Sequence, residues 1–320
     1  MRNLLKILTV AVASVMPMAA HAADFPTKPV MIVVPYPPGG NVDSAARIIA
    51  PKMGEVLGQP VVIQNRAGAG GMIAAQYVMG ANADGYTLFM AANGPLLFAP
   101  MTMKRPDVYD WKKDFAPIGA VSITPMVLSV RADLHIDSLQ KLLDQVDSKG
   151  LLMASPGAGT TNHLAAELMM EKSGKQWRIV QYKGNAPAVT SLLGGETAFS
   201  FDQISVILPH IKEGVVVPLV VTSDERVPTL PDVPTFKEAS KLGFQAVTFT
   251  GLLAPAKTPD DVINAISKAL TVALSDKGVQ KQFADLGSLT KVTTPAEFKS
   301  FLGEIDDTWR PVVQKVDTGR

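Results

Sequence analysis

The sequence predicts an α/β protein on a mainly parallel sheet, divided into about two domains. Three observations carry that reading. The chain has 320 residues, and one hydrophobic core rarely grows much beyond about 250. Short β-branched runs alternate with stretches of helical periodicity, the order expected of βαβ units. Glycine-rich turns recur between a strand and the helix after it, as where Pro37-Pro38-Gly39-Gly40 follows the run at residues 30–34.

Residues 1–22 read as an address rather than as structure. Arg2 and Lys6 give a positive start, residues 8–18 are almost wholly apolar, and Ala20-His21-Ala22 supplies a small-residue cleavage motif. This is the layout of a secretory signal peptide cut after Ala22. The apolar run falls short of the roughly 20 residues needed to span a bilayer. The chain that remains is expected to be soluble and exported.

Val30-Met31-Ile32-Val33-Val34 reads as a buried strand, and the prolines and glycines that follow delay any helix until Asn41. Asn41 or Asp43 then offers an N-cap to a helix over 45–57, which Gly58-Gln59-Pro60 stops. Val61-Val62-Ile63 is the second strand. Gly68-Ala69-Gly70-Gly71 opens a helix over 72–79, and a third strand over 86–91 runs into Ala92-Asn93-Gly94. The middle of the chain repeats the theme. A strand over 150–154 meets the loop Ser155-Pro156-Gly157-Ala158-Gly159-Thr160-Thr161, then a helix over 162–172. Strands are expected at 179–180, 199–201 and 215–221, with a helix over 187–193. The C-terminal part reads as three helices, over 259–274, 277–286 and 295–316.

Composition and motifs exclude several chemistries. Thirty basic residues against 29 acidic give a net charge of +1, without the positive field that grips nucleic acid. No cysteine is present, which removes disulfides, thiol nucleophiles, thiolate-bound zinc and iron–sulfur clusters. Neither Gly68-Ala69-Gly70 nor Gly157-Ala158-Gly159 completes a dinucleotide fingerprint, because Ile73 and Asn162 stand at the third glycine position. The histidines at 21, 135, 163 and 210 show no metal-binding spacing. No nucleophile elbow occurs. No cofactor and no metal are expected.

What survives is a set of loops suited to anions. A glycine loop that opens onto a helix exposes N–H groups with no intrahelical partner, at the positive end of the helix dipole. The chain has such loops at 37–44, 67–72 and 155–162, and a small-residue strand end at 91–94. Each follows the carboxyl end of a strand, where open α/β sheets bind ligands. Three such loops, split between the two halves, point to one carboxylate-type ligand in an interdomain cleft.

At these residues the sequence resembles a known family. Pro35-Tyr36-Pro37-Pro38-Gly39-Gly40-Asn41-Val42-Asp43, Leu57-Gly58-Gln59-Pro60 and Asn65-Arg66-Ala67-Gly68-Ala69-Gly70-Gly71 carry the likeness. It continues through Asp84-Gly85-Tyr86-Thr87-Leu88, Gly157-Ala158-Gly159-Thr160-Thr161-Asn162-His163, Tyr182-Lys183-Gly184, Phe201-Asp202 and Gly251-Leu252-Leu253-Ala254-Pro255. Together these resemble the Bug-type substrate-binding receptors of tripartite tricarboxylate transporters. Asn41-Val42 stands where Pro-Thr is common in the family, and Asn185 where a second glycine is common.

The resemblance implies a type II periplasmic-binding-protein fold: two doubly wound α/β domains with the ligand cleft between them. Chain crossings are expected near 118–125 and 246–254. They divide the chain into domain one, 24–121 plus 250–320, and domain two, 122–249. The implied partners are a small carboxylate and a membrane permease, served by a monomeric periplasmic receptor that is not an enzyme. Carried onto this chain, the family's binding positions are Tyr36, Pro38, Gly39 and Asp43, then Ala92 and Asn93. Gly157, Gly159, Thr160, Thr161 and His163 follow, with Asp202 on the domain-two wall. Each has a plainer role open to it. Gly39 and Gly157 serve a backbone with positive φ, Asp43 caps a helix, and His163 packs on the surface. A ligand-sensing role, or a secreted hydrolase or isomerase using the same cleft, are the alternatives.

Overall fold

The computed structural model describes residues 25–315, so the signal-peptide segment 1–22 lies outside the described residues. β1 (Val30–Val34) leads to α1 (Asn41–Leu57), β2 (Val61–Asn65), a 3-10 turn (Ala69–Gly71), α2 (Met72–Met79) and β3 (Thr87–Ala92). A π-helical turn (Gly94–Phe98) runs into α3 (Ala99–Thr102), and α4 (Trp111–Asp114) opens directly into β4 (Phe115–Arg131). Next come α5 (Leu139–Gln145), β5 (Leu152–Ser155), α6 (Thr161–Ser173), β6 (Arg178–Gln181) and α7 (Asn185–Leu193). They are followed by β7 (Phe199–Gln203), α8 (Ile204–Lys212), β8 (Val216–Val221), α9 (Phe236–Ala239) and β9 (Val247–Pro255). The last elements are α10 (Asp260–Ser275), α11 (Lys277–Asp285), β10 (Leu289–Thr290) and α12 (Pro295–Lys315).

The strands join in the order β2-β1-β3-β9-β4-β7-β5-β6, with β8 and β10 added against β4. β1 pairs in parallel with β2 and β3, and β5 with β6 and β7. Between these two parallel groups, β9 is antiparallel to β3 and β4, and β4 is antiparallel to β7, β8 and β10. The expectation of a mainly parallel sheet therefore needs correction at its centre. β4 is 17 residues long. It pairs with β9 over 115–125 and with β7 and β8 over 126–131. It carries the chain from one half of the sheet to the other, and β9 brings it back alongside, so the two run in opposite directions. The segments read as crossings, 118–125 and 246–254, fall on or beside these two strands.

The alternation of side chains along each strand sorts the core into layers. Val30, Ile32 and Val34 pack with Ile49 and Met53 of α1, Ile266 and Leu270 of α10, and Phe283 of α11. On the opposite face, Val33 and Phe89 join Ala75 of α2 and Phe298 and Leu302 of α12. The second half repeats the pattern. Met126, Leu128 and Val130 face Leu142 of α5 and Leu164 and Met169 of α6, while Val127 faces Val189 of α7 and Ile204, Ile207 and Leu208 of α8. Helices thus cover both faces of each half. This architecture sends the loops after β1, β3, β5 and β7 toward one place.

Candidate functional site

That place is a buried cavity of about 20 Å³, roughly the room one water needs. From the first half come Tyr36 in the loop after β1, Asn41 and Val42 at the start of α1, Ala92 at the end of β3, and Gly94 at the start of the π-helical turn. From the second come Pro156, Thr160, Thr161 and Asn162 at the start of α6, Asn185 at the start of α7, and Gln203 at the end of β7. Thr248 of β9 completes the lining. Starts of α1, α6, α7 and the π-helical turn therefore converge on one small volume. Three open surface grooves are larger, about 720 Å³ beside α1 and β2, about 580 Å³ beside α12, and about 290 Å³ between the π-helical turn, α4 and α12, but none gathers the starts of α1, α6 and α7.

Such starts leave N–H groups unpaired. In α6 the His163 N–H reaches Thr160 Oγ1 at 3.3 Å and the Leu164 N–H reaches Thr160 O at 3.0 Å. No acceptor takes the N–H of Thr161 or Asn162 among the described residues, and both residues line the cavity. In α1 the first paired N–H is that of Ser44, to Gly40 O at 2.9 Å, so Asn41 and Val42 stand alike. Donors and dipoles of this kind select an anion without any charged side chain, and none lines the cavity.

Glycines let the two halves approach this closely. A Cβ on Gly94 would lie 3.0 Å from Gly159 O, 3.1 Å from Tyr36 Oη and 3.3 Å from Thr160 Cα. Gly184, at φ +129°, lies so close to Pro37 that a Cβ would come within 2.9 Å of its Cδ.

The loop after β1 is braced from behind. Asp43 Oδ2 accepts from the Gly39 N–H and Arg47 Nε, both at 2.9 Å, and Oδ1 accepts from Asn65 Nδ2 at 2.8 Å. The same Asn65 nitrogen donates to Tyr36 O at 2.9 Å. Burial alone would raise the Asp43 carboxyl, but these hydrogen bonds outweigh it and hold the group below the usual carboxylate range. Asp43 is thus the clamp of its loop. The N-cap itself is Gly40, not Asn41 or Asp43.

Of the expected binding residues, Tyr36, Ala92, Thr160 and Thr161 line the cavity. Pro38 and Gly39 sit on the exposed shoulder of the first loop. Gly157 and Gly159 both have positive φ, +141° and +73°, and their N–H groups turn inward to Ser155 Oγ and His163 Nδ1, each at 3.4 Å. His163 is not a surface residue; it is buried, supports Gly159 and points Nε2 toward Glu167 at 3.4 Å. Asn93 is not in the lining and its amide is turned to β9: Oδ1 accepts from the Phe249 N–H at 2.9 Å and Nδ2 donates to Val247 O at 3.3 Å. Asp202 is not on the cavity wall. It is wholly buried behind it, bonded to Ser200, and burial raises its carboxyl to about 6 against the hydrogen bonds of Ser200 and Asn185 and the charge of His210.

The loop 67–72 also departs from expectation. The rings of Pro95 and Pro35 cover Gly71 at the start of α2, and Gly70 lies against Ala99, Met103 and Ala158 O. It closes the rim instead of lining the cavity. Sequence reasoning missed Gln203 and Thr248, which lie at the end of β7 and the start of β9 without any turn motif. Gln203 Nε2 donates to Asn162 Oδ1 at 3.0 Å and Thr248 Oγ1 at 2.9 Å, while its Oε1 accepts from Asn185 Nδ2 at 2.7 Å. The glycine before Asn185 was the available signal for α7.

The model of the tripartite tricarboxylate transporter family receptor matches residues 45–318. Protein BugT of Bordetella pertussis is 32% identical over 318 residues, covering 98% of each chain. Among solved structures, MatC from Rhodopseudomonas palustris with bound malate superposes with a TM-score of 0.85 at 33% identity, over 90% of this chain and all of that one. The periplasmic binding protein BugD gives 0.85 at 31% identity, over 91% of this chain and 98% of that one. The fold is accordingly the type II periplasmic-binding-protein fold, two doubly wound α/β domains with the cleft between them.

Proposed function

The chain belongs to the tripartite tricarboxylate transporter receptor family, a family of solute-binding receptors and not of enzymes, and from that premise we propose that it captures a small organic carboxylate for a membrane permease. The observation that carries this reading is the convergence of four helix starts on one cavity that no charged side chain lines. One carboxylate is held by the N–H groups at the start of α1 and by the end of β3, the other end by the start of α6. Tyr36, Ala92, Thr160 and Thr161 touch the ligand. Pro38, Gly39, Asp43, Asn93, Gly157, Gly159 and His163 shape the loops around it, and Asp202 backs the wall. The malate in the related MatC structure is an acid of the proposed class.

On this reading the domains are 24–121 plus 250–320 and 122–249, and the cavity, closed here to about 20 Å³, widens to admit a ligand when they part about β4 and β9. The receptor works in the periplasm as a monomer, exported by residues 1–22 and cut after Ala22. Purified protein screened by thermal shift and calorimetry against mono-, di- and tricarboxylates tests the proposal. A ligand at 100 times its dissociation constant adds about 2.7 kcal/mol, readily seen in the melting temperature. Recovery of the acid unchanged supports a receptor; its chemical turnover overturns one.

A further inference from the structure

We infer that Asn41 is a specificity-determining residue whose side-chain amide donates to a hydroxyl or carbonyl oxygen on the ligand, so that the cavity takes oxygen-substituted acids and rejects amino acids. The inference rests on the carboxylate-receptor reading and narrows it to a ligand class.

Asn41 is 3% exposed and lines the cavity at the first position of α1. Its Oδ1 accepts from Ser205 Oγ at 2.7 Å and Thr124 Oγ1 at 3.1 Å, and Thr124 Oγ1 is itself tied to Ser288 Oγ at 2.9 Å. These bonds come from α8 and β4 and fix the amide plane. Its Nδ2 is buried and has no partner. Buried donors are paired as a rule, and one left open at a binding cavity is a position for a ligand acceptor. The other amides here are occupied. Asn162 and Asn185 both bond Gln203, and Asn93 lies outside the lining with its amide turned to β9.

An ammonium group meets the opposite conditions. Helix starts present positive dipole ends, Asn41 Nδ2 is a donor, and no carboxylate lines the cavity. Asp43 is turned away into its clamp with Arg47 and Asn65, and Asp202 lies behind the wall. A hydroxyl or carbonyl oxygen gains a bond where an ammonium loses its hydration unpaid. A site built to bond one polar group discriminates strongly against analogues that lack it.

The test compares matched acids on the wild-type chain: succinate with L-malate and L-aspartate, glutarate with 2-oxoglutarate and L-glutamate, and tricarballylate with citrate. At one chain length at least, the oxygen-substituted acid is expected to bind tenfold or more tighter than its parent and than the amino acid. Asn41→Ala is expected to collapse the ratio of substituted acid to parent to below about threefold. Asn41→Asp, which retains an oxygen for Ser205 and Thr124, is expected to shift the ratio of amino acid to substituted acid upward by tenfold or more. Cooperative thermal unfolding of each variant establishes that it is folded. Equal loss for parent and substituted acid in Asn41→Ala, or amino acids binding the wild type as well as the substituted acids, overturns the inference and leaves the receptor reading standing. Failure of every acid in the panel to bind overturns the receptor reading itself, and the inference with it.

Discussion

Single atoms decide whether the two halves can meet. Gly94 is not in the left-handed backbone region, so alanine fits its own conformation, yet the new Cβ would lie 3.0 Å from Gly159 O on the opposite half. Gly94→Ala should therefore fold normally, with a melting temperature unchanged or slightly raised, as expected when a glycine leaves a helical position. Ligand affinity should fall about tenfold or more, because closure stops short; calorimetry checks it. Gly157 would be a poorer choice, since its φ of +141° strains any side chain whatever its role. Asp202 makes a second prediction at this scale. Its carboxyl is raised from 3.8 to about 6 in the folded chain. Well below the unfolded value of 3.8, both states hold the proton and the group is neutral to stability. As pH rises toward 6 the unfolded chain releases its proton first, so stability is lost, by about 3 kcal/mol once the group ionises in both states. Asp202→Asn should gain melting temperature over wild type progressively between pH 4 and 7. A difference that stays flat across that range would refute the assignment.

At the scale of elements, motif and register divide the explanatory work. Strands followed by a glycine loop and a helix were legible because each boundary carries a chemical mark: Pro37 to Gly40 before α1, Gly157 and Gly159 before α6. α8 was not, because Gln203 ends β7 and caps α8 with no turn residue between. β4 and β9 read as crossings rather than as strands, since their pairing is with each other across more than 100 residues of intervening chain. That pairing also seats α12. Gly251 of β9 lies under Phe298, and a Cβ there would come 2.2 Å from the ring's Cζ. The ring is wholly buried and cannot retreat. Gly251→Ala should cost about 1–3 kcal/mol by overpacking, measured by denaturant unfolding, although glycine to alanine in a strand would otherwise help.

Across the whole molecule, charge is nearly balanced and the donors are local. The net charge is +1 over the full chain, and removal of Arg2 and Lys6 leaves 28 basic residues against 29 acidic. A net charge so near zero supplies little long-range attraction for an anion. Raising sodium chloride from about 50 to about 500 mM should change the association rate less than about threefold, since screening acts on exposed charge and not on buried dipoles. Stopped-flow mixing with a bound acid would show it, and a steep salt dependence would point to a basic entrance instead. N-terminal sequencing of exported protein should begin at Ala23.

By itself the sequence determined the α/β class, the family and two of the loops that reach the cavity, because glycine, proline and β-branched residues act over a few positions. Tyr36, Ala92, Thr160 and Thr161 came instead from the family resemblance, and these four line the cavity. The tertiary structure alone decided that Asp202 and His163 stand behind the wall, that the Asn93 amide turns to β9, and that two prolines cover Gly71 in the loop 67–72. It alone brought Asn41, Asn185, Gln203 and Thr248 together from four elements. Which face a side chain takes, and whether its hydrogen bonds are already made, depends on packing against distant chain, as where Asn93 meets Phe249 and Asn41 meets Ser205. No local pattern encodes that.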